Sequence, residues 1–259
     1  MPRVITLTTD FGSGSGYVAE MKGRLLHART PFTLVDIAHD LPAHDIRAAA
    51  WLVGQACPTF PAGTLHLAVV DPGVGTTRRL VWAEIGGQQF LCPDNGLLSW
   101  VLRRGPLAAA RAIPVAATAA ATFHGREVIA PAAVQLLDGT PPEALGPPVA
   151  ELVRLPWPDP RETPAGIDGE VLYVDAFGNL VTNLPAKLWP LVVAAGGLRV
   201  AGHDVTTLVR TYGDAAPGTP VVLVGSQGFI EAAVVEGHAA ARLGAGRGTR
   251  VAIAGGQTP

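Results

Sequence analysis

The sequence predicts an α/β N-terminal domain built on a mostly parallel sheet, followed by a smaller all-β, barrel-like C-terminal domain. Three observations carry this prediction. The first half alternates β-branched runs with stretches of helical spacing. The second half holds short apolar runs separated by turn residues. Between them, "PWPDPRETP" (156–164) places four prolines in nine residues, a composition that continues neither a helix nor a central strand. The predicted boundaries are 1–155, a linker at 156–165, and 166–259.

Taken in order, "VITLTTD" (4–10) reads as a first strand and "GYVAEMKGRLLHAR" (16–29) as a helix. "FTLVDI" (32–37) is a second strand, "DIRAAAWLVGQAC" (45–57) a second helix and "TLHLAVVD" (64–71) a third strand. This βαβαβ rhythm is the reason for expecting parallel pairing. "LVWAEIGGQQFLC" (80–92) reads as a hairpin about Gly86 and Gly87. Helices are expected again at 95–104 and 126–138, and no element is assigned to the alanine-rich 108–123. Beyond the prolines, strands are expected at 170–175, 180–184, 198–202, 205–209, 220–225, 229–235 and 250–254.

The chain has 259 residues, 48% of them hydrophobic and 15% charged, a globular composition. With a formal net charge of -2 and its arginine pairs, Arg78-Arg79 and Arg103-Arg104, isolated, it lacks the basic stripe a nucleic-acid partner requires. Two cysteines, Cys57 and Cys92, without CxxC spacing, point to buried thiols, not to a disulfide framework or a metal site. The N-terminus reaches Asp10 without an apolar leader segment, and no apolar run reaches the roughly 18 residues of a membrane span. The expectation is a soluble, cytoplasmic protein with no membrane partner.

Asp10, Asp36 and Asp71 each close or nearly close a predicted strand. In an open parallel sheet, ligands bind outside the carboxyl ends of the strands, so these three carboxylates are expected to gather along one edge where a substrate would sit, although aspartate is also an ordinary turn residue. "VVDPGVGTTRR" (69–79) is the most informative of the three settings. Gly73 and Gly75 allow a sharp turn and close approach, and Arg78 can fold back on Asp71, keeping it ionised and oriented. A salt-bridged turn is the plain alternative. His124, flanked by Gly125 and Arg126 ahead of a predicted helix, is a further candidate. "DAFGNLVTN" (175–183) gathers one carboxylate and two amides, a patch suited to an amino acid. Trp51, on an apolar helix, reads as core.

Seven ordered segments, "TLTTDFG", "GYVAEMKG", "VVDPGVGTTRR", "PDNGLLS", "FHGRE", "FGNLVTN" and "GSQGFIEAAV", resemble the S-adenosyl-L-methionine (SAM) hydroxide adenosyltransferases. These are adenosine-forming SAM hydrolases, relatives of the bacterial fluorinase and chlorinase. The match spans residues 5 to 251. The resemblance implies catalytic roles for Asp71, Arg78 and His124, ribose binding by Asp10, and methionine binding by Asp175 with Asn179 and Ser226. It makes Tyr17 a pocket residue. Trp51 and Phe177 are the aromatic candidates for contact with adenine, with core packing the favoured reading for Trp51 and contact the favoured one for Phe177, which lies inside the "FGN" motif. It implies a homotrimer with SAM held between the N-terminal domain of one subunit and the C-terminal domain of a neighbour. Neither metal nor cofactor is implied, because SAM is the substrate. Halogenating relatives carry tyrosine where this chain has Asp71, which favours water over halide as nucleophile. Many members also place an aspartate beside the tyrosine of "YV", where this chain reads "SGSGYV". Two other readings stay open: a halide-using relative, and a SAM- or adenosine-binding module with little turnover.

Overall fold

The computed structural model describes residues 3–254, so the outermost ends of the predicted domains, 1–2 and 255–259, lie outside the described residues. The chain divides into two compact units between Leu155 and Pro156.

In the first unit, β1 (Arg3–Thr9) runs parallel to β2 (Phe32–Ala38) and β3 (Leu65–Val69), and β3 runs parallel to β5 (Gln88–Pro93). β4 (Leu80–Ile85) lies antiparallel to both β5 and β6 (Leu107–Ile113), which completes the order β2-β1-β3-β5-β4-β6. The sheet is therefore mixed: three of its five pairings are parallel, which matches the expected parallel sheet in part, and two are antiparallel. The cause is local. Gly86 and Gly87 both hold positive φ (59° and 77°), the geometry of a two-residue hairpin turn, so the strands on either side must run in opposite directions. β6 falls in the alanine-rich tract, where no β-branched pattern announces it. Cross-strand partners such as Trp82, opposite Arg111, supply what local propensity does not.

Alternation along the strands sends side chains to two layers. Ile5, Leu7, Leu65, Leu67 and Val69 pack under α1 (Gly16–Leu25) and α4 (Ala130–Leu137). Ala68, Val70, Val81, Phe90 and Cys92 pack under α2 (Ile46–Ala56) and α3 (Val101–Arg104). Asp45 caps α2 by accepting a hydrogen bond from the Ala48 N–H. Trp51 is core, with its ring centroid 4.6 Å from that of Trp100. The helix expected at 95–104 is reduced to α3, its first half forming turns.

The second unit is a nearly closed antiparallel sheet of β7 (Arg161–Thr163), β8 (Gly166–Val174), β9 (Leu180–Pro185), β10 (Leu198–Val200), β11 (His203–Val205), β12 (Pro220–Val224), β13 (Phe229–Val234) and β14 (Arg250–Ala254). β8 is the hinge of this sheet. Its first half pairs with β14, its second half with β9, and a bulge lies between Val171 and Tyr173; a bulge bends and twists a strand at such a corner. Past β11, Val222 donates to the Thr207 carbonyl (2.9 Å) and accepts from the Val209 N–H (3.1 Å), drawing the two ends of the sheet together. The last residues of the proline-rich stretch form β7, an edge strand paired only with β8, a position that tolerates flanking prolines. Two short helices, α5 (Trp189–Ala194) and α6 (Ala239–Leu243), join the strands. Both are too short to show a helical period.

Candidate active site

Asp71 lies two residues beyond the end of β3, at the carboxyl edge of the parallel part of the sheet. The chain turns there through 71–79. Thr76 returns both its N–H and its hydroxyl to the Gly73 carbonyl, and Gly75 holds φ 78°. A Cβ at Gly75 would lie 2.8 Å from the Ala121 carbonyl oxygen, so the loop tip rests against the segment that leads to His124. Inside the loop, Arg78 donates to Asp71 from Nε (2.9 and 3.0 Å) and from Nη2 (2.5 Å), a bidentate pair. The same Nη2 lies 2.7 Å from His124 Nδ1. The side chains of Asp71 and Arg78 are only 6% and 11% exposed, and His124 is 4% exposed.

These three residues form a chain whose protonation follows from donor chemistry. A guanidinium has no acceptor atom, so His124 Nδ1 must offer its lone pair to Arg78. The proton of neutral His124 therefore sits on Nε2. Burial lowers the His124 pKa below its ordinary value, and the Arg78 charge lowers it further, against a smaller opposing effect of Asp71. His124 opens a widened π turn, Gly125–Ile129, that runs into α4. Pro131 lacks an N–H and its ring crowds a regular helix, which the wider turn relieves.

Asp10 follows β1 directly and accepts a 2.8 Å hydrogen bond from the His44 N–H. His44 holds φ 66°, a strained setting for a side-chain-bearing residue. Tyr17, on the first turn of α1, is half-exposed and stands edge-on to Phe11 and to Phe123, the neighbour of His124. Asp36 does not join this group. It lies inside β2, where burial opposes its ionisation, but Lys22 (2.5 Å) and His39 (3.1 Å) outweigh that and hold its carboxyl below the usual range.

The second unit carries a cavity of about 670 Å³ lined by Asp175, Phe177, Asn179, Tyr212, Ser226 and Glu231, among others. All four residues that the sequence reading assigned to the second domain face this one cavity. Asp175 ties its own loop, accepting from the N–H groups of Phe177 and Asn179 and from Asn179 Nδ2. Phe177 is 76% exposed. The His238 ring packs on Gly178, where any Cβ would lie 2.3 Å away. Sequence reasoning missed Tyr212 and Glu231. The Tyr212 hydroxyl donates to the buried Glu231 carboxylate. Burial raises the pKa of both groups, the hydrogen bond raising Tyr212 further and lowering Glu231 in part. The available signal was a lone glutamate inside the apolar strand "FIEAAVV", since a buried charge needs a reason.

Among the described residues, no group of three or more His, Cys, Asp or Glu is placed to hold a metal ion. Among the same residues, no helix is long and apolar enough to cross a membrane.

The α/β unit carries a buried carboxylate–guanidinium–imidazole chain, and the β unit by itself carries an acidic, aromatic-walled cavity; a preorganised ion-pair and imidazole chain of this kind is typical of enzymes. Residues 5–146 match the family model of the SAM hydroxide adenosyltransferase N-terminal domain, and residues 169–252 match that of the C-terminal domain. The chain belongs to the SAM hydroxide adenosyltransferase family. It is 42% identical to the (R)-S-adenosyl-L-methionine hydrolase of Thermus thermophilus, over 97% of this chain and 99% of the relative. It is 39% identical to the protein of the same name from Salinispora tropica, over 97% and 98%. A fluorinase from Actinopolyspora mzabensis is more distant, at 28% over 89% and 90%. Among solved structures, an uncharacterized conserved protein from Thermotoga maritima aligns with TM-score 0.88 at 31% identity, covering 97% of this chain and all of the other.

Proposed function

We propose that this protein hydrolyses SAM to adenosine and L-methionine, with water or hydroxide attacking the ribose 5′ carbon. The observation that carries the proposal is the Asp71–Arg78–His124 chain, in a protein whose full-length relatives are named SAM hydrolases. Displacement at this carbon releases a neutral thioether, so the leaving group needs no acid. The demand falls on the nucleophile. Asp71, oriented by its bidentate pair with Arg78, accepts the proton-bearing side of the water. His124, with its proton on Nε2, donates to the water oxygen and is not the base in this arrangement. Base assistance of this kind contributes roughly 10²–10⁴-fold, and alignment contributes several kcal/mol more.

Asp10 holds the ribose hydroxyls, with Tyr17 beside them. The second-unit cavity takes the remainder of SAM, with Asp175, Asn179 and Ser226 on the methionine end and Phe177 against the adenine. Its three lining carboxylates, Asp175, Glu231 and Glu236, suit a ligand that carries a sulfonium and an ammonium. The assembly we propose is a homotrimer that brings the N-terminal unit of one subunit to the C-terminal unit of a neighbour. A metal or cofactor has no part in this scheme.

The test is product analysis in halide-free buffer. Wild-type protein is expected to convert SAM to equal amounts of adenosine and methionine. Asp71→Asn should retain SAM binding and lose turnover by about 10²-fold or more. Intact SAM recovered from a wild-type protein that binds it would reject the hydrolase reading in favour of a binding module. A 5′-haloadenosine formed on adding chloride or bromide would point to the halogenating relatives.

A further inference from the structure

The segment "PDNGLLS" has no place in the chemistry above, yet it meets the catalytic loop at both ends. Loop 71–79 connects β3 to β4, and in the sheet these strands are separated by β5. Residues Asp94 and Asn95 follow β5 directly and so emerge between the two stems of the loop. On one side, Asn95 Nδ2 donates to the Val70 carbonyl (2.9 Å), the peptide that precedes Asp71. On the other, Asp94 accepts from Arg79 Nε (3.0 Å) and Nη2 (2.5 Å), and its own N–H donates to the Arg79 carbonyl (2.9 Å). The second oxygen of Asp94 accepts from the Val153 N–H (2.8 Å). The Asp94 side chain is 2% exposed, while that of Arg79 is 47% exposed. A buried carboxylate that meets a half-exposed arginine is an expensive way to gain stability alone. Its geometry, however, grips the residue next to Arg78.

We propose that Asp94 and Asn95 are positioning residues for the reaction. Together they hold the stems of loop 71–79 at the one spacing from which Arg78 reaches Asp71 and His124 at once. The two consecutive arginines then have opposite tasks: Arg79 anchors the loop outward and Arg78 works inward. This rests on the hydrolase reading for its kinetic consequence, but not for its structural one.

The experiment uses the full-length protein and four variants: Asn95→Ala, Asp94→Asn, Arg79→Ala, and Arg199→Ala as a control that breaks an exposed ion pair with Asp204 in the other unit. Misplacing a reacting group by an ångström costs about 10²-fold, so kcat should fall by about that factor in Asn95→Ala. In Arg79→Ala it should fall by about tenfold, with KM for SAM within about twofold in both variants and Arg199→Ala unchanged. Nitrogen NMR of the His124 imidazole should show the Nδ1 resonance leaving its hydrogen-bonded position in the same two variants. Should Asp94→Asn fail to fold, these two carry the test, because Arg79 is half-exposed and Asn95→Ala only removes an amide. Folded variants with wild-type kcat and an unmoved His124 resonance would overturn the proposal. A wild-type protein inactive on SAM would refute the hydrolase reading alone, and the His124 resonance would still decide this one.

Discussion

Arg78 and His124 define each other's chemistry. The guanidinium can only donate, so it assigns the imidazole proton to Nε2, and its bonds to Asp71 and His124 hold the three side chains in one arrangement. The pH dependence follows from this. The proposed reaction uses neutral His124, and its pKa is lowered first by burial and then by Arg78. The acid limb of kcat/KM should therefore have its midpoint below about 6.5, the ordinary histidine value. Stability has the same sign: the unfolded chain binds the proton more readily, so the contribution is full above that pH and is lost as pH falls toward the folded-state value. A midpoint above the ordinary value, in a profile otherwise unaffected by substrate protonation, would contradict the assignment. Asp71 and Arg78 were legible in sequence because their spacing and the intervening glycines imply a turn that brings them together. Tyr212 and Glu231 were not, because 19 residues separate them and only the barrel closes that gap.

The working element is loop 71–79, and Gly75 is its most constrained position. Alanine there would have to hold φ 78° and would place its methyl 2.8 Å from a backbone oxygen. Gly75→Ala should cost about 1–3 kcal/mol of stability and should also depress kcat, by moving Arg78 away from His124. Gly73→Ala is the matched control. Its Cβ meets no atom closer than 3.4 Å, and urea unfolding should place it close to wild type. Equal losses in the two variants would mean that the loop lacks this asymmetry. Elements with a strong local signature, such as the βα alternation of the first half and the hairpin at Gly86-Gly87, could be read before folding. β6 and the short helices α5 and α6 could not, since alanine carries no strand signature and five or six residues carry no period.

At the scale of the molecule, the Asp71–Arg78–His124 chain sits in one unit and the acidic cavity in the other. The proposed homotrimer makes a prediction of its own. Asp71→Asn disables the first unit and Asp175→Ala the second, so each variant alone should be inactive. Subunits mixed by co-refolding or co-expression should recover activity, since random assembly leaves roughly one site in four with both halves intact. No recovery in mixed trimers of confirmed composition would place each site within a single subunit.

The sequence by itself determined the family and the elements with a strong local signature, because both rest on local spacing and local turn chemistry. The tertiary structure alone decided three things. It decided the pairing of β6 with β4, the tautomer of His124, and the gathering of Asp94 and Asn95 between the stems of loop 71–79. All three depend on which strand lies beside which. Strand order is set by the packing of whole layers, not by any stretch of chain short enough to read.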